Sequence, residues 1–121
     1  MSFIVAFQAD ADKFNGVLQT QFSRPLRLRG DWEVCVYSCN VTNETGELWL
    51  FSNVADFTYV NEIPMQLIGV IDLDNHKMNP MYVKVARKTI STINIEVKNS
   101  YNSEVTNSKT AITCILRFRK A

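Results

Sequence analysis

The sequence predicts an all-β fold, an antiparallel sandwich or barrel of about eight or nine short strands. Three observations predict it. Apolar residues recur with period two along most of the chain, as half-buried strands require. Polar, turn-rich stretches separate the apolar ones. No window longer than ten residues carries a clean helical period.

The elements follow in chain order. Phe3, Val5 and Phe7 share one face of an opening strand. A single helical turn fits Asp10 to Phe14 and ends at Asn15-Gly16. Leu26 and Leu28 alternate with Arg27 and Arg29, and Trp32, Val34 and Val36 alternate with Glu33, Cys35 and Tyr37. The turn signal Asn43-Glu44-Thr45-Gly46 precedes a short apolar strand, Leu48 to Phe51. Gln66 to Leu73 is apolar on both faces, as for a strand inside a sandwich. Met81, Val83 and Val85 alternate with Tyr82 and Lys84, and Ile93, Ile95 and Val97 with Asn94, Glu96 and Lys98. Ile112, Cys114, Leu116 and Phe118 close the chain with an apolar face. Pro25, Pro64 and Pro80 are expected beside strands, because proline cannot donate to a ladder. Trp32 and Trp49 lie in apolar strands and are expected in the core.

At 121 residues the chain is expected to form one domain, residues 1–121, large enough to bury its own core. An apolar fraction of 46% with 21% charged residues excludes disorder, collagen and coiled coil as the main state. Apolar runs such as Ile68 to Ile71 fall far short of the ~20 residues of a membrane helix, so no membrane is expected. No basic-then-apolar leader opens the chain, so secretion is not expected. Cys35 and Cys39 would stand ~13 Å apart on one strand, too far for a disulfide between them. With Cys114 they read as three free thiols in a reducing compartment.

The net charge of +1 hides an asymmetry. Residues 1–76 hold 4 Lys+Arg against 10 Asp+Glu, a net −6, and residues 77–121 hold 9 against 2, a net +7. The halves either neutralise each other, or meet acid to base between copies, or present a basic patch to nucleic acid. Nucleic acid is the less favoured partner, because no stacked-aromatic pattern accompanies the basic residues.

The inventory of reactive residues is poor. The one histidine, His76, sits in a polar loop, and the cysteines form no C-x-x-C pair, so no metal is expected. Asp10-Ala11-Asp12 lacks the glutamate that a calcium loop carries at its twelfth position. No phosphate-binding glycine loop or nucleophile elbow occurs, so neither a cofactor nor enzymatic activity is expected. Arg29-Gly30-Asp31 matches a short receptor-binding motif only weakly and reads first as a Gly-Asp turn between strands. The sequons at Asn40 and Asn43 read as a polar turn.

Several segments, taken in order, carry a family resemblance. Leu26 to Val34 reads L-x-L-x-G-D-W-E-V, preceded by Phe22-Ser23-Arg24-Pro25. Leu50 to Val54, Ile63 to Ile68, Tyr82 to Val85 and Ile90 to Ile95 follow, and the chain closes on Leu116-Arg117-Phe118-Arg119. This series resembles the small capsid proteins of Polinton (Maverick) elements and the related adintoviruses. The resemblance implies an all-β antiparallel sandwich, a single jelly roll of about eight strands. It implies a penton or minor-capsid protein of a virion, made in the host cytoplasm or nucleus. Its partners would be itself, as a pentamer first or a trimer second, and other capsid proteins. In that frame Arg29 stands at a variable position before Gly-Asp-Trp. Self-assembly is expected through loops and strand edges, with Lys84, Arg87, Lys88, Arg117 and Arg119 as basic contacts and Asp10, Asp12, Glu44 and Glu47 as acidic ones. The competing expectation is a receptor- or carbohydrate-binding sandwich of the fibre-head kind.

Overall fold

The computed structural model describes residues 1–11, 14–42, 46–74, 80–100, 103–104 and 111–121. These residues form strands and no helix. In chain order the strands are β1 (Ser2–Ala9), β2 (Val17–Arg27), β3 (Trp32–Val41), β4 (Glu47–Ser52), β5 (Thr58–Val60), β6 (Ile63–Met65), β7 (Leu67–Asp72), β8 (Val83–Lys84), β9 (Thr89–Ser100), β10 (Ser103–Glu104) and β11 (Ile112–Lys120).

Their pairing is nested. β1 pairs with β11, β2 with β9, β3 with β8 and β4 with β7, all antiparallel. Two further pairings, β11 with β3 and β9 with β4, gather these into sheets of order β1-β11-β3-β8 and β2-β9-β4-β7. A long antiparallel ribbon rolled into two facing sheets is the jelly roll. The three remaining strands are accessories. β5 and β6 form a separate hairpin, and β10 extends the second sheet beside β9.

The period-two faces meet in one core. Val34, Ile93, Ile95, Cys114, Leu116 and Phe118 have no exposed surface, and Val97, Ile112 and Val36 have almost none. Phe3, Val5, Val83 and Val85 are half-buried and pack against that cluster. Phe3 stacks on Phe118 at 4.8 Å and tilts against Trp32 at 5.5 Å, closing the core at the end where β1 starts. The sheets approach closely at Gly69 of β7, where a Cβ would stand 3.1 Å from Cγ2 of Val36 on β3.

Four expectations need correction. Leu26 to Arg29 is not a separate strand: β2 runs from Val17 to Arg27, and Leu28 lies just past its end, buried. Pro25 and Pro64 lie inside strands. Pro25 falls where the β2–β9 register jumps between Gln21 and Leu26, and among the described residues β2 pairs with β9 alone, so no ladder bond to β9 is lost there. Pro64 sits in the two-stranded β5–β6 hairpin, which leaves an unpaired edge. Trp49 is half-buried on the outer face of β4, because Leu48 and Leu50 on either side of it take the inner face. The stretch Met81 to Val85 shrinks to the two residues of β8, extended by the isolated bridge of Val85 to Ala55. Of the expected helical turn from Asp10 to Phe14, residues 12–13 lie outside the described residues; the Phe14 amide donates to the Asp10 carbonyl at 3.0 Å. The His76 loop lies outside the described residues.

Two substitutions check the packing and the turn chemistry. Gly69→Ala should destabilise the fold by about 1–3 kcal/mol by overpacking Val36. In a denaturant double-mutant cycle, Val36→Ala should cost less in the Gly69→Ala background than alone; strict additivity would refute the contact. The β5–β6 turn places Asn61 and Glu62 at φ 49° and 68°, the type I′ conformation that glycine favours at the second position. Glu62→Gly should therefore raise the thermal midpoint, by an amount corresponding to roughly 0.5–1 kcal/mol.

Candidate assembly surface

Rolling the ribbon sorts the loops to two ends. β1, β3, β7 and β9 start at one end, where β2, β4 and β11 finish. The segments 28–31, 53–66 and 85–88 and the C-terminal residues gather there. Among the described residues, 10–11, 14–16, 42, 46, 73–74 and 111 gather at the other end.

Of the acidic contacts read from the sequence, Asp10 and Glu47 are exposed at that second end, and Asp12 and Glu44 lie outside the described residues. Glu47 stands directly opposite Asp72 across β4 and β7. Asp74 joins them, its carboxylate accepting the Gly46 amide at 3.0 Å. Like charges opposite each other disfavour the pair unless a cation or solvent screens them.

The basic contacts divide into two groups. Arg117 and Arg119 lie on the outer face of the first sheet and are engaged within the chain. The Arg119 guanidinium sits 3.4 Å from the centre of the Tyr82 ring, and its Nε is 3.3 Å from Glu33 Oε1. Arg117 lies 5.6 Å from the Tyr37 ring. Beneath them Cys35 is fully buried, and its hydrogen bond with Tyr82 pushes the Tyr82 hydroxyl above its ordinary range. Lys84, Arg87 and Lys88 are exposed at the first end, and among the described residues none of them forms an ion pair. Arg27, Arg29 and Lys120 are exposed at the same end. The halves of the sequence thus contribute jointly to one cationic end.

Lys84 to Lys88 form one wall of a concavity of about 320 Å³, and Leu28, Gly30, Asp31 and Trp32 form the other. The Arg29-Gly30-Asp31 motif is the turn into β3. Gly30 holds φ 82°, a conformation that favours glycine, and the Trp32 indole donates to the Arg29 carbonyl at 2.9 Å. Arg29, Gly30 and Asp31 are themselves exposed.

Two surface features were missed by sequence reasoning. The first is the β5–β6 hairpin, on which Tyr59 is 73% exposed, with Phe57 and Ile63 also exposed beside it. The signal was present: Phe57 to Met65 alternates about an Asn-Glu turn. The second is the edge of β1, which among the described residues pairs with β11 alone and carries no charged side chain from Ser2 to Ala9. Such an edge accepts a strand from another chain unless a charge, a proline or a bulge blunts it.

A groove of about 280 Å³ runs beneath the hairpin, with Phe51, Asn94, Glu96 and Lys98 on the sheet side and Phe57, Pro64 and Met65 on the hairpin side. Lys98 lies over the Phe51 ring at 5.4 Å and pairs with Glu96 at 3.6 Å. The amides in this region serve the frame. Asn53 donates to the Thr92 carbonyl and accepts the Asn94 amide, and Gln66 donates to the carbonyls of Asn53 and Ala55.

Among the described residues no three His, Cys, Asp or Glu side chains gather into a metal site. Comparison with protein-family models, curated proteins and solved structures returns no significant match.

The indole bond is the testable strut of the cationic end. Trp32→Phe keeps an aromatic ring but removes the donor and part of the packed indole, and should cost about 1–3 kcal/mol. Amide exchange at Gly30 and Asp31 should accelerate while exchange in β9 changes only with global stability.

Proposed function

We propose that this chain is a structural protein of a virion or of an integrated virus-like element, of the penton or minor-capsid kind. It assembles with copies of itself and with other capsid proteins, and its work is packing rather than catalysis. The observation that carries this reading is the surface of one end of the sandwich. There an exposed apolar hairpin stands beside six exposed cations that form no ion pair among the described residues and outnumber the exposed Asp31 and Asp56 near them, while Asp10, Glu47, Asp72 and Asp74 lie at the opposite end. Apolar area supplies affinity between copies, and the charges choose partner and register, since exposed ion pairs contribute only ~0–1 kcal/mol each. A contact between unlike surfaces is heterologous and closes into a ring when its rotation permits. A pentamer is the first expectation and a trimer the second. The ordered resemblance from Leu26 to Arg119 supports the same reading.

The fibre-head alternative would use the groove under the hairpin. There Asn53 and Gln66 are already bonded to backbone and Lys98 pairs with Glu96, which commits much of the polar lining within the chain. The structural reading is therefore preferred.

Sedimentation from low to high salt, with and without added DNA, tests it. The wild-type chain should form a closed oligomer that salt weakens modestly. Tyr59→Ser combined with Phe57→Ser should leave monomers, and charge reversal at Lys84, Arg87 and Lys88 should weaken assembly less than that. A monomer at every salt concentration that binds DNA with steep salt dependence would replace this reading with a nucleic-acid one.

A further inference from the structure

We propose that Cys39 and Cys114 form a cross-strand dithiol site that a small-molecule disulfide, such as oxidised glutathione, converts into a disulfide joining β3 to β11. The inference stands independently of the assembly reading. It rests on register, facing and exposure.

Register places the two residues directly opposite each other in the antiparallel β3–β11 pair. The Thr42 amide donates to the Ala111 carbonyl at 3.0 Å, one step beyond the Val41–Ile112 pair. Hydrogen-bonded and non-bonded pairs alternate along such a ladder. Thr42–Ala111 is bonded, Val41–Ile112 is not, Asn40–Thr113 is, and Cys39–Cys114 is not. Non-bonded pairs bring Cα atoms to about 4.5 Å, inside the range of about 4.4–6.8 Å that disulfides span. The bulge in β3 between the pairs Leu116–Val36 and Ile115–Ser38 lies outside this stretch and leaves it regular.

Both side chains point inward: Cys114 is fully buried in the core and Cys39 packs against that core. Cys35 is excluded as a partner. It stands opposite Arg117, on the outer face under Tyr82.

Exposure sets the order of events. Cys39 is half-buried and reachable; Cys114 is not. The hydrogen bond with Cys39, together with burial, holds the Cys114 thiol protonated well above the ordinary thiol range. Cys39, the more exposed of the two, is therefore the attacking thiol: as its thiolate it attacks one sulfur of the small disulfide. The S–S bond breaks, and one thiolate leaves and takes up a proton. Cys114 then gives up its proton and attacks the Cys39 sulfur of the mixed disulfide, expelling the second thiol. Two protein thiols are oxidised and one small disulfide is reduced to two thiols. The buried, protonated resolving thiol makes the second step slow.

The product closes the long loop of chain between residues 39 and 114, which restricts the unfolded ensemble more than the folded sheet. The test incubates the native full chain with excess oxidised glutathione, then alkylates under denaturing conditions. The count of labelled thiols should fall from three to one, with a peptide map joining the Cys39 and Cys114 segments and leaving Cys35 labelled. The thermal midpoint should rise by about 5–15 °C and return on reduction. Cys39→Ser should keep both remaining thiols under the same treatment. Three labels after prolonged incubation, a glutathione adduct on Cys39 that never resolves, or a link through Cys35 would each overturn the proposal.

Discussion

The fold depends on the burial of two central strands. β9 pairs with β2 and β4, and β11 with β1 and β3, so each binds its sheet together from the middle. Their inner faces, Ile93, Ile95 and Val97 on one and Ile112, Cys114, Leu116 and Phe118 on the other, are sealed from water. At about 25 cal/mol for each Å² of apolar surface removed from water, these seven side chains supply a large share of the driving force. A slip of one residue on either strand would turn that set outward, so the burial also determines register. With register determined, the nested pairing follows, and the loops are left at the two ends.

This dependence explains what the sequence made legible. Ile93/Ile95/Val97 and Trp32/Val34/Val36 read correctly because burial on one face leaves a period-two trace in residue type. Trp49 misled because a large aromatic in an apolar run resembles core, whereas its neighbours Leu48 and Leu50 already occupy the inner face. Pro25 and Pro64 misled because edge position is a property of sheet order, which local pattern does not encode. The pairing of Cys39 with Cys114 requires the register of strands 75 positions apart and the bulge near Tyr37. Spacing within β3 alone addresses only Cys35 and Cys39.

The candidate surface was half legible for a related reason. Charge by half of the sequence, −6 against +7, anticipated a polarity but misplaced its axis. An antiparallel roll sends every second loop to the same end, so Arg27 and Arg29 from the first half join Lys84, Arg87, Lys88 and Lys120. Arg117 and Arg119 looked equivalent to those cations as sequence. The sheet instead sets Arg119 on Tyr82 and Glu33 and brings Arg117 close to Tyr37. Arg117 and Arg119, in the body of a sheet face, find neighbours within the chain, whereas among the described residues the cations at the first end form no ion pair.

The same contrast bears on where new contacts can form. A side chain on a strand is held by its cross-strand neighbours, so the sheet faces are stiff and largely committed. The backbone of the end loops and of the hairpin base is tied down by many bonds, among them the Trp32 indole on the Arg29 carbonyl, the Leu28 amide on the Lys88 carbonyl, the Val85 amide on the Trp32 carbonyl, the Asp56 amide on the Lys84 carbonyl, and the Ala86 amide on the Val54 carbonyl. Those ties fix the backbone of the cationic end and leave its side chains uncommitted. A backbone already fixed by these bonds suits a surface that must meet a partner without reorganising the fold, since the ordering entropy lost on contact is then confined to side chains. The cross-strand thiols lie near the opposite end, within the sheet. Their chemistry would therefore alter the resistance of the sandwich to unfolding while leaving the cationic surface unchanged.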